Sequence, residues 1–537
     1  MGGSYTPNRP LRGETVTVPP RHGTFSTTGL HSHPSHAQSE RMTPLQALNA
    51  DPFTLGVASG DPLPGSVVLW TRLAPRPFEP GSGLPADGAL DVQWELASDE
   101  SFRHLHRSGT TSAPAEDDHT VHLDVCGLEP DTVYWYRFRV GRWISPVGRT
   151  RTAPAPDADV DGVRFGLVSC QQYDEGYYTA LAHLAAEDLH AVFFVGDYIY
   201  ENAINAQAGA RNYTDHPLPE FFDHWTWNLT DYRLRYALGK SDPDLQAAHA
   251  AHPWFVTWDD HEVENNYAGD VSQNNDPVDV FRARRAAAYR AYWENMPLRA
   301  GLRPTGPDMR LYRRFRYGRL AQFDILDTRQ YRSDQAYGDG WQYPGPESED
   351  PARTLTGEAQ ERWLLDGFHD STALWNVVVQ QVAFCRRKNT TADRSRLSMD
   401  AWDGYPASRQ RVLDGVERAG VENLVVLSGD VHVHYAMDVK KDFDDPGSRT
   451  LGVEVVGTSV SSGFDGEERP DDWNLQLAAN PHMKYYDGRR GYVVVSLDAT
   501  RMQADFRTLS GVLTPGAPVQ TSARFVSEAG APGFSAA

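Results

Sequence analysis

The spacing of apolar and polar positions changes once along the chain, near residue 153. From 53 to about 152, short segments alternate apolar and polar residues at the period of a β-strand, with turn residues between them. This pattern predicts an all-β sandwich over 47–152. After a linker at 153–162, strand-like apolar runs alternate with segments of helical spacing, which predicts an α/β domain over 163–512.

The two ends of the chain lack these patterns. Residues 1–46 are polar and aperiodic, which predicts a disordered leader. Residues 513–537 are rich in Ala, Gly, Pro and Ser, and we predict a loose tail there. No apolar run approaches the ~18 residues of a membrane-spanning helix, and the leader lacks the apolar segment of a signal peptide. We therefore expect no transmembrane segment, and no export signal is visible.

Residues 164–201 read as strand, loop, helix, strand and loop, and metal-binding side chains follow both strands. Cys170 comes directly after the run RFGLVS, Asp197 after AVFFVG, and Tyr200 three residues later. In open α/β sheets ligands bind beyond the carboxyl ends of the strands, so these side chains are expected to converge. A thiolate, a carboxylate and a phenolate together suit a hard, oxidised transition metal. This segment therefore predicts half of a dinuclear metal site.

Two later strands end in donor-rich loops that could supply the other half. The run WFVTW leads into DDHE at 259–262 and then into Asn265, Asn266 and Asp270, whereas NLVVLSG leads into DVHVH at 430–434. A loop directly after a buried strand holds a ligand or a general acid rigidly. His432 fits the pattern of a ligand better than His434, which could bind metal or support a ligand.

Charge and cysteine content narrow the function. The formal net charge of −21 over 537 residues disfavours stable binding to a nucleic-acid backbone. Phosphate can still be bound where local cations, including a metal, reverse the sign of the field. The three cysteines (Cys126, Cys170 and Cys385) have no C-x-x-C spacing, so neither a disulfide framework nor a structural zinc site is indicated.

Taken in order, these segments resemble one family. Cys170, GDYIYE, WDDHEVENN, DTRQYR and GDVHVH behind an N-terminal β-sandwich are similar to the PhoD-type alkaline phosphatases. That family belongs to the calcineurin-like metallophosphoesterases and is related to the purple acid phosphatases. The resemblance covers roughly 47–510. It implies an α/β fold in which two mixed β-sheets are flanked by helices (α-β-β-α), preceded by a small fibronectin type III-like all-β sandwich.

The resemblance implies Fe(3+) and Ca(2+) as cofactors. It assigns the iron to Cys170, Asp197, Tyr200 and His432, with Asp197 bridging to the second metal.

Asp430 stands where related enzymes have a histidine and would face the second metal. A carboxylate there favours a hard cation such as calcium. Asn265 and Asp270 are candidates for further calcium ligands, and Asp260 is another.

The resemblance also implies roles in catalysis. His261 matches a general-acid or phosphate-contacting histidine, and Arg329 is expected to clamp phosphate through its guanidinium fork. The implied reaction is hydrolysis of phosphomonoesters, extending to phosphodiesters, by a metal-activated oxo or hydroxo nucleophile. The alternatives are a phospholipase D or teichoic-acid phosphodiesterase of the same family, a redox iron–tyrosinate site, and a non-catalytic binding module.

The expected partner is a phosphate-ester substrate, either a small molecule, a phospholipid or teichoic acid. The family resemblance implies a secreted or cell-envelope protein. A cytoplasmic location is the alternative, because the N-terminal segment has neither paired arginines nor an apolar stretch.

Overall fold

The N-terminal part of the chain forms short strands, as its alternating pattern predicts. This computed structural model describes residues 48–204, 209–211, 218–392, 394–470 and 473–537, so the predicted leader lies outside the described residues. The strands are β1 (Val57–Leu63), β2 (Ser66–Arg72), β3 (Ala89–Ala97), β4 (Leu105–Pro114), β5 (Thr120–Cys126), β6 (Val133–Val140), β7 (Trp143–Ile144) and β8 (Gly148–Arg151).

Beyond the segment predicted as a linker, strands and helices alternate. The strands are β9 (Gly162–Val168), β10 (Ala191–Phe194), β11 (Pro253–Val256), β12 (Arg313–Tyr317), β13 (Ala321–Ile325), β14 (Trp341–Gln342), β15 (Trp375–Val379), β16 (Leu397–Ser398), β17 (Leu424–Ser428), β18 (His434–Lys440), β19 (Thr450–Val456), β20 (Met483–Asp487), β21 (Gly491–Asp498), β22 (Arg501–Leu509), β23 (Val519–Glu528) and β24 (Ala531–Ala536). The helices are α1 (Thr179–Ala185), α2 (Leu229–Lys240), α3 (Pro243–Ala251), α4 (Val278–Asn295), α5 (Gly357–Asp370), α6 (Pro406–Ala419) and α7 (Trp473–Ala479).

Two large mixed sheets organise the α/β part. One has the strand order β24-β23-β22-β21-β9-β10-β11-β1-β2-β5, and the other has the order β12-β13-β15-β17-β19-β18-β20. Strands β9, β10 and β11 are parallel neighbours in the first sheet, as are β13, β15 and β17 in the second. The carboxyl ends of these parallel strands therefore collect several loops at one edge of each sheet.

Apolar clusters show how the layers pack. Phe165, Phe193 and Phe255 of the first sheet share a core with Phe323 and Val377 of the second. Residues of α1, α2, α3 and α4 pack on the other face of the first sheet, and residues of α5 and α6 pack on the other face of the second. The α/β part is thus layered as helices, sheet, sheet and helices. No helix among the described residues is both long and apolar enough to cross a membrane.

The N-terminal strands lie in two sheets that share one apolar core, and one of these sheets continues into the α/β part, whereas the domain boundary at 152 stays a prediction. Strands β3, β4, β6, β7 and β8 form a sheet of their own, but β1, β2 and β5 extend the first large sheet. The junction is a parallel pairing in which Ser59 lies opposite Pro253 and Gly60 opposite Trp254. A Cβ on Gly60 would lie 2.3 Å from the carbonyl oxygen of Pro297, so only glycine permits this approach. The fibronectin type III likeness stays a prediction.

The prediction of a loose tail over 513–537 is wrong. Strand β23 pairs antiparallel with β22, and β24 pairs with β23, so the end of the chain completes the edge of the first sheet. Phe525 is buried and contacts the rings of Phe506 and Phe534. Small and polar residues around Phe525 and Phe534 make the alternating strand pattern weak in the sequence. Pairing with an existing sheet edge stabilises strands of low intrinsic propensity.

Candidate metal centre

The candidate site lies where parallel strands of both large sheets end. Cys170 follows β9, Asp197 follows β10, and Asp259 and Asp260 follow β11. From the second sheet, the loop after β17 brings Asp430 and His432. An isolated bridge between Ser169 and Ser459 joins the two sheets beside these loops. The sequence-based expectation that distant strand ends converge is therefore met.

Four predicted iron ligands come together in one cluster. One ligand atom each of Cys170, Asp197 and His432 lies within 4.8 Å of the others. The Tyr200 hydroxyl donates to Asp197 Oδ2 at 2.9 Å and lies 3.2 Å from His432 Nε2. Ser462 donates to the Tyr200 oxygen at 2.8 Å and so fixes the phenol ring in place. The cluster offers one sulfur, one nitrogen and two kinds of oxygen donor.

Asp197 also belongs to a second group of donors. Its carboxylate lies within 4.8 Å of ligand atoms of Asp260 and His261, and Asp260 forms a further group with Asp259 and Asp430. The groups thus share members and form one continuous site. Asp197 lies at the junction, which is the position that a carboxylate shared by two cations requires.

Several of these residues adopt the left-handed backbone conformation, which side chains other than glycine rarely enter. The φ angles are 58° at Cys170, 59° at Asp197, 67° at Asp430 and 57° at His432. Each such residue costs of order 1–3 kcal/mol and persists only where the surrounding structure enforces it. Glycine would relieve the strain but would remove the ligand atom, so the strained residues mark the working part of the site.

Glu262 holds two of the loops in register. Its buried carboxylate accepts hydrogen bonds from the backbone N–H groups of Asp197 at 3.0 Å, Tyr198 at 2.6 Å and Asp259 at 2.8 Å. Bonds from an amide to a carboxylate are stronger than neutral ones, so Glu262 ties the loop after β10 to the loop after β11. The sequence indicated this residue only as part of a charged run.

His261 is oriented by a buried carboxylate. Its Nδ1 lies 2.7 Å from Glu201 Oε2, and the other Glu201 oxygen accepts from the backbone N–H of Asn265 at 2.8 Å. Burial alone would lower the pKa of His261, but the carboxylates of Glu201, Asp260 and Asp197 raise it well above its ordinary value. These carboxylates thus favour the protonated imidazole, which is the form that a general acid needs. The Asn265 amide donates to Gln273.

Arg329 does not lie where a phosphate could reach it, which corrects its predicted role as a clamp. Its side chain is fully buried and pairs with Asp259, with Asp400 at 2.7 Å, and with Asp260 and Asp430 at 3.3 Å each. All three nitrogens of the guanidinium thus pair with protein carboxylates. Arg329 instead neutralises the acidic cluster from behind, and this role leaves no donor for a substrate.

Asp270 is not brought to the site. Its carboxylate pairs with Arg282 at 2.8 Å and Arg285 at 2.9 Å. A tight turn with a bridge between Ala268 and Val271 directs this part of the loop toward helix α4, away from the cluster. The prediction of Asp270 as a calcium ligand is therefore not supported by the geometry.

Sequence reasoning left out two acidic residues that the structure brings to the cluster. Asp259 is the first member of the DDHE run, in which the sequence pattern singles out Asp260 and His261 instead. Asp400 follows the short strand β16 and carries no motif, so no local signal could have found it. His434, left open from the sequence, accepts the backbone N–H of Thr458 at 3.1 Å and lies outside the clusters.

The donor atoms of the site fit metal ions, because some of them are buried and have no hydrogen-bond partner. Asp197 Oδ1 and Asp259 Oδ2 are buried without a hydrogen-bond donor. Burial and the neighbouring negative groups raise the pKa of the Cys170 thiol and of the Asp197 and Asp430 carboxyls well above their ordinary values. Buried charges in proteins are usually paired or bound to metals, and Arg329 and His261 are fewer than the acidic groups around them. Bound cations would complete the charge balance.

Comparison with known proteins places the chain beside one family. The sequence model for "PhoD-like phosphatase" matches residues 165–506, and that for "PhoD-like phosphatase, N-terminal domain" matches residues 37–154. The chain is 49% identical to alkaline phosphatase D of Bacillus subtilis (strain 168) over 476 residues, which cover 88% of this chain and 80% of the relative. A solved structure described as "Structure of PhoD" shares 48% identity and superposes with a TM-score of 0.87, covering 91% of this chain and 92% of the other.

Proposed function

The chain belongs to the PhoD-like phosphatase family, and we propose that it hydrolyses phosphate esters at a centre of two metal ions that share Asp197. It is a phosphoric ester hydrolase of the alkaline phosphatase type, as the family and the 49% identity show. The presence and identity of the two metal ions are what we propose. The observation that carries this proposal is the membership of Asp197 in two adjoining groups of ligand atoms.

Fe(3+) is proposed for the group with sulfur and nitrogen donors. Cys170, Asp197, Tyr200 and His432 would hold it, and thiolate, phenolate and imidazole together favour iron over calcium. Ser462 supports this assignment because its hydrogen bond orients the Tyr200 oxygen.

Ca(2+) is proposed for the group with only carboxylate donors. Asp259, Asp260 and Asp430 would hold it together with the shared Asp197, since calcium takes oxygen ligands in a flexible geometry. Asn265 remains a candidate, because its backbone is fixed beside the cluster by Glu201.

Different residues of the chain have different roles in the reaction. When bound, the two cations would supply positive charge to the phosphate oxygens and lower the pKa of water. His261 provides the proton: Glu201 fixes its Nδ1, which leaves the other ring nitrogen for the leaving oxygen of the ester. Arg329 keeps the carboxylates of the cluster together in a small volume without touching the substrate.

Hydrolysis assays with controlled metal content test the proposed function. The protein loaded with iron and calcium is expected to hydrolyse a phosphomonoester and a simple phosphodiester, and a calcium chelator is expected to abolish both activities, because an oxygen-only site without its cation leaves buried acids facing the phosphate. Readdition of calcium should restore turnover. No turnover of either ester by protein shown to contain both metals would contradict the proposal.

Replacing His261 by Gln is expected to slow hydrolysis most for esters with poor leaving groups. General-acid catalysis contributes about 10²–10⁴-fold, so we expect a loss of about a hundredfold in kcat for an alkyl phosphate. A p-nitrophenyl ester should lose much less, since its leaving group needs no proton. The measurement is kcat for both esters at equal metal content, and an equal loss for the two would contradict the general-acid role.

A further inference from the structure

A cleft of about 260 Å³ is lined in part by the loop that carries Asp430 and His432. Val431 and Val433, which line it, alternate in sequence with the proposed ligands Asp430 and His432. One loop therefore supplies ligands for the metals and a wall for the cleft. A substrate group that extends from the metals along this loop would enter the cleft.

The rest of the cleft combines apolar and aromatic walls with two basic side chains, those of Arg387 and Lys388. Trp341, Tyr435, Tyr486 and Met483 contribute to the lining. The guanidinium carbon of Arg387 lies 5.8 Å from the centre of the Trp341 ring and 5.9 Å from that of the Tyr435 ring. The two rings thus flank the guanidinium and restrict its movement. Trp341 is 42% exposed, so the cleft is open to solvent on that side.

Arg387 differs from its two basic neighbours in the chain. Arg386 pairs with Asp444 at 2.5 Å, and Lys388 pairs with the same carboxylate at 2.9 Å. The Nε of Arg387 is buried and has no hydrogen-bond partner, and in the part of the chain that the structure describes no carboxylate lies within 4.0 Å of its guanidinium. A half-buried guanidinium without a carboxylate partner has hydrogen-bonding capacity to offer an anion.

We propose that this cleft is a subsite for a second phosphate group of the substrate, bound by Arg387 while the scissile phosphate lies at the metal centre. The inference rests on the proposed function and deepens it. It names the preferred substrate class as phosphate esters whose organic group carries a further phosphate. Guanidinium suits this role because its planar fork binds phosphate through two hydrogen bonds, and the apolar walls contact the group that links the two phosphates.

Three chromogenic esters with the same leaving group test the subsite. They are p-nitrophenyl phosphate, thymidine 5′-(p-nitrophenyl phosphate), and the latter compound with an added 3′-phosphate. The wild-type enzyme should show a KM about tenfold lower for the 3′-phosphorylated diester than for the plain diester, as expected for one charge-assisted hydrogen-bonded contact. Arg387→Gln should remove this advantage and leave kcat for p-nitrophenyl phosphate unchanged.

The control is Arg394→Gln, which removes an exposed arginine that stacks on Tyr343 and lies outside the cleft. Arg394→Gln should retain the tenfold ratio of KM values. Both variants lose one positive charge, so a weaker general attraction for anionic substrates would affect them equally. A ratio that is absent in the wild type, or unchanged in Arg387→Gln, would overturn the subsite while hydrolysis of p-nitrophenyl phosphate still supports the proposed function. A second pair of esters separates a requirement for the nucleoside from a requirement for the phosphate. p-Nitrophenyl esters of glycerol phosphate, with and without a second phosphate, should show the same tenfold ratio of KM values. A ratio seen only with the thymidine pair would also overturn the subsite.

Discussion

Replacing Asp197 by Asn is expected to lower kcat/KM for phosphate esters by at least about a thousandfold, because metal ions contribute several kcal/mol to stabilising the transition state. Asp197 belongs to the proposed iron group and to a second group with Asp260, which is also a member of the proposed calcium group, so one substitution is expected to weaken binding of both metals. Asparagine has nearly the same shape and keeps an oxygen for the Tyr200 hydroxyl. The fold should survive: burial already raises the pKa of Asp197, so the neutral side chain suits the metal-free site. The measurement is kcat/KM together with metal content per chain.

Asp270→Asn is the matched control for this variant. The same substitution is made at a residue that the sequence also placed among the metal ligands but that the structure pairs with Arg282 and Arg285. We expect metal content and kcat/KM to stay within about twofold of the wild type, since half-exposed ion pairs contribute little. Full activity in Asp197→Asn, or loss of calcium in Asp270→Asn, would contradict the placement of the site.

Replacing Arg329 by Gln is expected to lower the free energy of unfolding by about 3–5 kcal/mol, the usual cost of removing one member of a buried ionic network. The variant leaves Asp259 and Asp430 without the cation that lies between them, whereas Asp400 keeps its pair with Arg332. A phosphate clamp would behave differently, because its loss would raise KM without affecting folding. The measurement is the unfolding midpoint in denaturant of protein stripped of metal, followed by KM of the metal-loaded enzyme.

Arg282→Gln serves as the control for charge alone. Its pair with Asp270 is about 41% exposed on both sides, and exposed pairs are worth about 0–1 kcal/mol. If Arg329→Gln unfolds at the same denaturant concentration as the wild type and only its KM rises, then the original expectation of a phosphate contact is restored.

The parts of the site that the sequence predicted share one property: each follows directly after a strand with a strong apolar pattern. Cys170, Asp197 and His432 are examples, and parallel strands bring such positions to a common edge whatever their separation in the chain. Tyr200 was found through its short spacing from Asp197. The α/β class and the N-terminal strands were predicted for the same reason, because period and turn residues are local signals.

The parts that the sequence did not predict depend on long-range packing. Asp400 reaches the cluster from a short strand with no motif, and Arg329 has the composition of a phosphate clamp but is fully buried. Whether a guanidinium faces substrate or protein depends on the loops that cover it, and no local pattern encodes this. Likewise β24 forms because β23 offers a free edge, and the pairing of β1 with β11 depends on the close approach at Gly60.

We propose that Cys170 and Tyr200 bind an oxidised iron that shares Asp197 with a second cation. The most direct test is the visible absorption spectrum of the purified protein, with iron quantified in the same sample. We expect about one iron per chain and a phenolate-to-iron charge-transfer band that Tyr200→Phe abolishes, since this chromophore requires the phenolate as a ligand. An active enzyme without iron, or a spectrum and activity unchanged in Tyr200→Phe, would contradict the claim.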